Sequence, residues 1–115
     1  MLANPNPLFL THSVTVELYV GPNDWGDPMY SAGIRLNNVR FERDKVYQGT
    51  GNSRQVIAEG VVMVYAFNQS DVNISDDWLK ARVTDESGQQ YLINRVISNN
   101  QDTSVDIYSW ELEVI

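Results

Sequence analysis

Hydrophobic and polar positions alternate along most of the chain with a period of two, the repeat of strands buried on one face. Val14, Val16, Leu18 and Val20 alternate with Ser13, Thr15, Glu17 and Tyr19. Ile34 and Leu36 share one parity, while Val39 and Phe41 share the other. A one-residue slip would turn the apolar set outward, so Asn37-Asn38 is expected to form a bulge or tight turn that restores the face. Val61 to Phe67 is apolar on both parities, the pattern of a central strand covered on both sides, in a barrel or against a partner. Asp71 to Trp78 predicts one helical turn capped by Ser75 or Asp76. Leu79, Ala81 and Val83 then alternate with Lys80, Arg82 and Thr84, Glu86-Ser87-Gly88 closes a hairpin, and Tyr91 to Ile97 returns. Val105 to Ile115 supplies the last strand, with Tyr108, Trp110, Leu112 and Val114 on one face. About six short strands with little helix describe an all-β chain, a small antiparallel barrel or sandwich, of which the barrel is the reading adopted.

Two stretches stand outside this pattern. Gly21 to Pro28 (GPNDWGDP) concentrates turn formers and is expected to be a loop. Glu42 to Glu59 (ERDKVYQGTGNSRQVIAE) is polar in its middle and carries Gly49 and Gly51. Connections in compact domains usually run ~4–6 residues, and longer ones are commonly functional or disordered. This segment is therefore read as a long projecting loop.

Length and charge narrow the function. With 115 residues and no cysteine, the chain fits one domain, residues 1–115, with a core that needs neither disulfide nor metal. The net charge of −7 argues against general binding to a nucleic-acid backbone. Five of the eight cations (Arg35, Arg40, Arg43, Lys45 and Arg54) nevertheless lie between positions 35 and 54. Against Glu42 and Asp44 they leave that window at +3 and the rest of the chain at −10, an acidic body with a locally basic loop. The start lacks the basic and apolar regions of an export signal, and no apolar stretch approaches a membrane span, so the chain is expected in the cytoplasm with no membrane partner.

Candidate chemistries fail on spacing. Without cysteine, thiol catalysis and Cys-based zinc sites are excluded, and His12, the one histidine, leaves no multi-His metal site. Gly49 to Arg54 (GTGNSR) lacks the spacing of a phosphate loop and reads better as a loop tip. Asp71, Asn73 and Ser75 mimic the start of a calcium loop, but Asp76 replaces its glycine and Arg82 its bidentate glutamate. Paired acids such as Asp76 and Asp77 are expected by chance in so acidic a chain. No enzyme activity, metal or cofactor is expected. Trp110 falls at core parity; Trp25 lies in a loop and is the tryptophan best placed for an interface.

An ordered series in the second half carries a resemblance. Val39-Arg40-Phe41 leads into Val46-Tyr47-Gln48-Gly49-Thr50-Gly51-Asn52-Ser53-Arg54, and a strand ending Val64-Tyr65-Ala66 follows. Then come Gly88-x-x-Tyr91-x-Ile93-x-x-Val96 and the closing Ile107-Tyr108-Ser109-Trp110-Glu111-Leu112-Glu113-Val114-Ile115. From Val39 to Ile115 the chain resembles the small minor capsid family of tailed phages and prophages, similar in turn to head–tail connector stopper (head-completion) proteins. The resemblance implies a β-barrel protomer that forms a homo-oligomeric ring in the virion neck, below the portal and adaptor proteins. Such a ring closes the DNA channel after packaging and offers a docking surface to the tail-completion or tail protein. It also implies a long loop that projects into the channel and meets its symmetry mates. Only Glu42 to Glu59 can take that part here, which makes Arg43, Lys45, Gly49, Thr50, Gly51, Asn52 and Arg54 the channel-loop candidates, in transient contact with the packaged DNA end. A ring contact needs two different patches, and Trp25, Met29 and Tyr30 are the candidates for one of them. In isolation the chain is expected to be able to remain monomeric.

Two other readings compete with the stopper. One is a tail-completion or other minor virion protein of the neck. The other is an OB-like or sandwich module that stacks single-stranded nucleic acid or carbohydrate on Tyr and Trp, which requires exposed aromatics along one strand face.

Overall fold

A computed structural model of the chain describes residues 6–43, 45–49, 55–69, 72–100 and 106–115. Among these residues the strands are, in chain order, β1 (His12–Glu17), β2 (Tyr19–Pro22), β3 (Pro28–Tyr30), β4 (Ile34–Glu42), β5 (Val46–Gln48), β6 (Gln55–Ala58), β7 (Gly60–Tyr65), β8 (Arg82–Thr84), β9 (Gln90–Asn100) and β10 (Ile107–Val114). Short 3-10 turns occupy Pro7–Phe9, Ala66–Asn68 and Asp76–Trp78. The six segments read from alternation close into a barrel in the order β1-β4-β7-β10-β9-β8, with β8 pairing back onto β1. Every pairing is antiparallel. The other four strands form two separate ribbons, β2-β3 and β5-β6.

Alternation builds the core directly. Val14 and Val16 of β1, Leu36, Val39 and Phe41 of β4, Val62 and Val64 of β7, Val83 of β8, Ile93 of β9, and Trp110, Leu112 and Val114 of β10 are buried together. Ile74, Trp78 and Ala81 join them from the connection between β7 and β8. The expected turn within that connection is the 3-10 turn Asp76–Trp78, with Ser75 Oγ accepting from the Asp77 N–H at 3.2 Å. Each large apolar side chain buried in this way contributes ~1.5–3 kcal/mol, which is how a chain without disulfide or metal holds together.

The parity change in β4 is a bulge, as the sequence requires. His12 pairs with Val39 and Val14 with Leu36, so three steps on β4 oppose two on β1. Asn38 takes up the extra residue in the left-handed region (φ 57°), which asparagine tolerates better than most residues. Leu36, Val39 and Phe41 consequently all face inward. The His12 ring joins the same repair, its Nδ1 accepting the Phe41 N–H at 3.2 Å.

Several expectations are corrected. The first alternating run does not continue to Val20. β1 stops at Glu17, Leu18 exchanges hydrogen bonds with Ser31 (Ser31 N–H to Leu18 C=O 2.8 Å, Leu18 N–H to Ser31 Oγ 3.1 Å), and the chain leaves the barrel as β2. Val20 is 63% exposed. Tyr108 is not on the core face, because an irregularity between Ile107 and Ser109 turns Ile107 inward and sets Tyr108 edge-on to Tyr65 at 5.6 Å. Leu79 is exposed because β8 starts only at Arg82, after Lys80 has passed through the left-handed region (φ 69°). Val61, Met63 and Tyr65, the second parity of β7, are half-buried instead of covered. Above all, Glu42 to Glu59 is not an irregular loop: β5 and β6 pair within it, Tyr47 with Val56 and Gln48 with Gln55.

Trp110 lies at the inner parity of β10 and is buried. Trp110→Ala is expected to cost ~3–5 kcal/mol, measured by denaturant or thermal unfolding; an unchanged melting temperature would contradict the assigned face.

Candidate functional site

The feature that sets this chain apart from a bare barrel is the β5-β6 ribbon between β4 and β7. Its root is built from close backbone approach. Gly60 opens β7 so near β4 that a Cβ there would lie 2.8 Å from the Glu42 carbonyl oxygen and 2.9 Å from the Phe41 ring; only glycine lets the chain turn back at this point. The Glu59 N–H donates to the Val114 carbonyl at 2.7 Å, and Asn94 Nδ2 donates to the Ile57 carbonyl at 2.8 Å. β6 is thereby tied to the end of β10 and the start of β9.

Ion pairs fix the root further. Arg43 Nη2 donates to Asp85 Oδ2 at 3.1 Å and its guanidinium sits 4.4 Å over the Phe41 ring. Lys45 approaches Glu59 at 4.0 Å, and Arg40 donates to Glu42 at 2.9 Å. Three of the five cations of the basic window are thus matched by carboxylates, and Arg35 instead donates to Ser13 Oγ at 2.8 Å and to Asn37 Oδ1 at 3.2 Å. Pairs this exposed are each worth little; together they orient the strands that enter the ribbon.

Asp85 is the exception, because it is 7% exposed. Its Oδ1 accepts from the Ser87 N–H, the Ser87 hydroxyl and the Gln89 N–H at 2.7–2.9 Å, closing the turn between β8 and β9. Burial pushes its pKa up, but the Ser87 hydroxyl, Arg43 and the two backbone N–H groups outweigh this and hold it below the ordinary aspartate value. Arg43 is in turn pushed upward by the Asp85 hydrogen bond. One carboxylate therefore secures a barrel turn and the first residue of the ribbon's entry. A second buried carboxylate, Glu113, is 6% exposed and faces Arg95 Nη1 at 3.8 Å, and its Oε2 has no hydrogen-bond partner.

Of the channel-loop candidates, Arg43 and Lys45 sit at this root, and Gly49 follows β5 with φ 100°, a turn conformation glycine adopts without strain. Thr50, Gly51, Asn52 and Arg54 lie outside the described residues. The interface candidates separate. Trp25 is 86% exposed at the tip of the β2-β3 hairpin, Met29 is exposed along it, and Tyr30 is half-buried at its base, where it meets Tyr19 and the Arg82 guanidinium (4.3 Å). Arg82 also makes a two-pronged contact with Glu17 at 2.9 and 3.0 Å, which lowers the Glu17 pKa. The two ribbons leave the barrel at opposite ends of β4.

Of the calcium-like run, Asp71 lies outside the described residues, and Ser75 caps the Asp76–Trp78 turn. Among the described residues no group of three or more His, Asp or Glu is arranged to hold a metal ion, and no helix is long and apolar enough to cross a membrane. Sequence reasoning missed Asp85. Its signal was the Asp-x-Ser-Gly run, in which an aspartate binds the backbone two residues on, but Arg43 is 42 residues away.

Asp85→Asn is expected to lower stability at neutral pH by about 1–3 kcal/mol. Because the folded-state value lies below the unfolded one (~3.9), this contribution is complete above that value and disappears as pH falls through the folded value. Unfolding free energy against pH is therefore expected to fall less steeply on the acid side in the variant; identical acid limbs would contradict the assignment.

Comparison with known proteins supplies the context for this architecture. A family model described as "Minor capsid protein" matches residues 7–114, barrel and both ribbons together. The chain is also similar to the uncharacterized protein ORF5 of Lactococcus phage LL-H, with 31% identity over 70 residues. That match covers 60% of this chain and 58% of the relative, so the chain spans less than two thirds of the relative's length. No solved structure matches it. With a family match running nearly end to end and a phage relative beside it, the chain belongs to the minor capsid protein family of phages.

Proposed function

We propose that this minor capsid protein is a non-enzymatic ring component of the neck of a long-tailed phage. In this reading it sits below portal and adaptor, closes the DNA channel with its β5-β6 ribbons, and offers the tail a docking surface. The observation that carries the reading is the ribbon itself, a two-stranded projection whose root is tied to β8-β9, β9 and β10. Such a projection adds nothing to the barrel's own closure. It is suited to meeting something outside its protomer.

The ion pairs change how closure would work. With Arg40, Arg43 and Lys45 matched by Glu42, Asp85 and Glu59, the root contributes little net charge, and the reading is mainly steric. Copies of the ribbon repeated around an axis fill the channel, and the ring multiplies a modest contact per ribbon through effective concentration. The acidic body keeps the duplex off the wall. Gly49, in the positive-φ region after β5, permits the chain there to change conformation at small cost.

The test is to shorten the ribbon without touching the barrel. Tyr47 and Val56 are cross-strand partners, so replacing Gln48–Gln55 by Asn-Gly leaves a two-residue hairpin turn. The shortened chain is expected to fold with nearly unchanged stability, since trimming a surface connection has a small entropic effect. Filled heads assembled with it are expected to lose DNA. Retention equal to that with the full chain would remove the gate.

A further inference from the structure

The β2-β3 hairpin presents a rigid aromatic knob. Asn23 organises its five-residue turn, with Oδ1 accepting the Trp25 N–H at 2.8 Å and the Asp27 N–H at 2.9 Å. The Asn23 N–H donates to the Asp27 carbonyl at 2.8 Å, and the Gly26 N–H returns to the Asn23 carbonyl at 3.0 Å. Four hydrogen bonds therefore fix the loop that carries the most exposed large apolar side chain among the described residues, Trp25. A turn backbone held in this way loses little conformational freedom when the indole it carries is bound. It is flanked by Asp24 and Asp27, both exposed and without an ion pair among the described residues.

A complementary groove runs along β3 of the same ribbon. Pro28, Tyr30, Tyr91, Leu92 and Ile115 line an open cavity of about 300 Å³. Leu92 and Ile115 stand exposed in it, bound to each other through paired backbone hydrogen bonds of 2.9 Å. Its polar edge is formed by Gln90 and by Arg82, which is paired with Glu17. Arg82 uses Nε and Nη2 on Glu17, which leaves Nη1 to donate, and Lys80 lies 5.6 Å over the Tyr19 ring that abuts Tyr30. Lys80 has no carboxylate partner among the described residues.

We infer that the Trp25 knob of one copy docks in this groove on the next copy of the same chain. Within one copy the knob stands clear of this groove: Trp25 is 86% exposed and is not among the residues that line it. An acidic aromatic tip meets an apolar groove whose edge carries the Arg82 Nη1 donor, with exposed Lys80 against the neighbouring Tyr19 ring, and burying the indole there covers ~150–250 Å². Knob and groove are different patches, so the contact is head-to-tail and repeats until a ring closes. The inference rests on the ring reading above and divides its interface candidates, with Trp25 entering and Tyr30 receiving.

The absence of native cysteine makes the test direct. A full-length chain carrying both D24C and Q90C, beside the knob and on the groove's edge, keeps Trp25 and Leu92; concentrated and oxidised, it is expected to give reducible oligomers whose mapped disulfides join position 24 of one copy to position 90 of another. In the cysteine-free parent, W25A is expected to weaken self-association by about tenfold or more, with an unchanged melting temperature because the side chain is exposed. Dominant 24–24 or 90–90 links would show a symmetric contact and overturn the inference. So would oligomers no more abundant than those of a D24C/S98C control, or self-association indifferent to W25A. The ribbon-shortened chain separates the two ideas: 24–90 links with normal DNA retention keep this contact and lose the gate, and DNA loss without such links does the reverse.

Discussion

The pairing of β1 with both β4 and β8 is the constraint on which the rest of this molecule depends. It turns six short strands into a closed surface with no free barrel edge, which removes the usual route to unwanted strand pairing. Closure forces one apolar set into a narrow interior, and Val14, Val16, Leu36, Val62, Val64, Leu112 and Val114 fill it. It also leaves the chain one way to carry extra material, outward from the barrel's ends. Both ribbons leave there, at opposite ends of β4.

The barrel was legible in the sequence because closure and alternation are the same physics. Each strand buries one parity, and where β4 changes parity Asn37-Asn38 supplies the bulge. Ser75 was legible as a cap for the same local reason. The failures come from places where a non-local partner overrides the repeat. Alternation runs on through Leu18 to Val20, but Ser31 takes the Leu18 hydrogen bonds and sends Val20 into solvent. Tyr108 keeps the right spacing for the core, yet one irregular step opposite β9 gives that place to Ile107.

The site was legible in position and not in form. The length and polarity of Glu42 to Glu59 marked it as a projection, but strands of three and four residues with polar members give too weak an alternation to be read. Its basic residues invited an electrostatic interpretation that the geometry tempers, since Asp85, remote in sequence, takes Arg43, and Glu59 takes Lys45. Gly60 shows the same limit. Its need for glycine comes from the Glu42 carbonyl across the sheet, which no local motif announces.

The family match places this architecture among the minor capsid proteins of phages, and the proposed role turns on where its ribbon points in the particle. Electron cryo-microscopy of particle necks, at a resolution that traces strands, is the direct measurement. The account predicts a closed ring of barrels beneath the portal, each Val46–Ala58 ribbon directed at the axis. Copies on the capsid shell, or a neck ring with these ribbons turned outward, would contradict it.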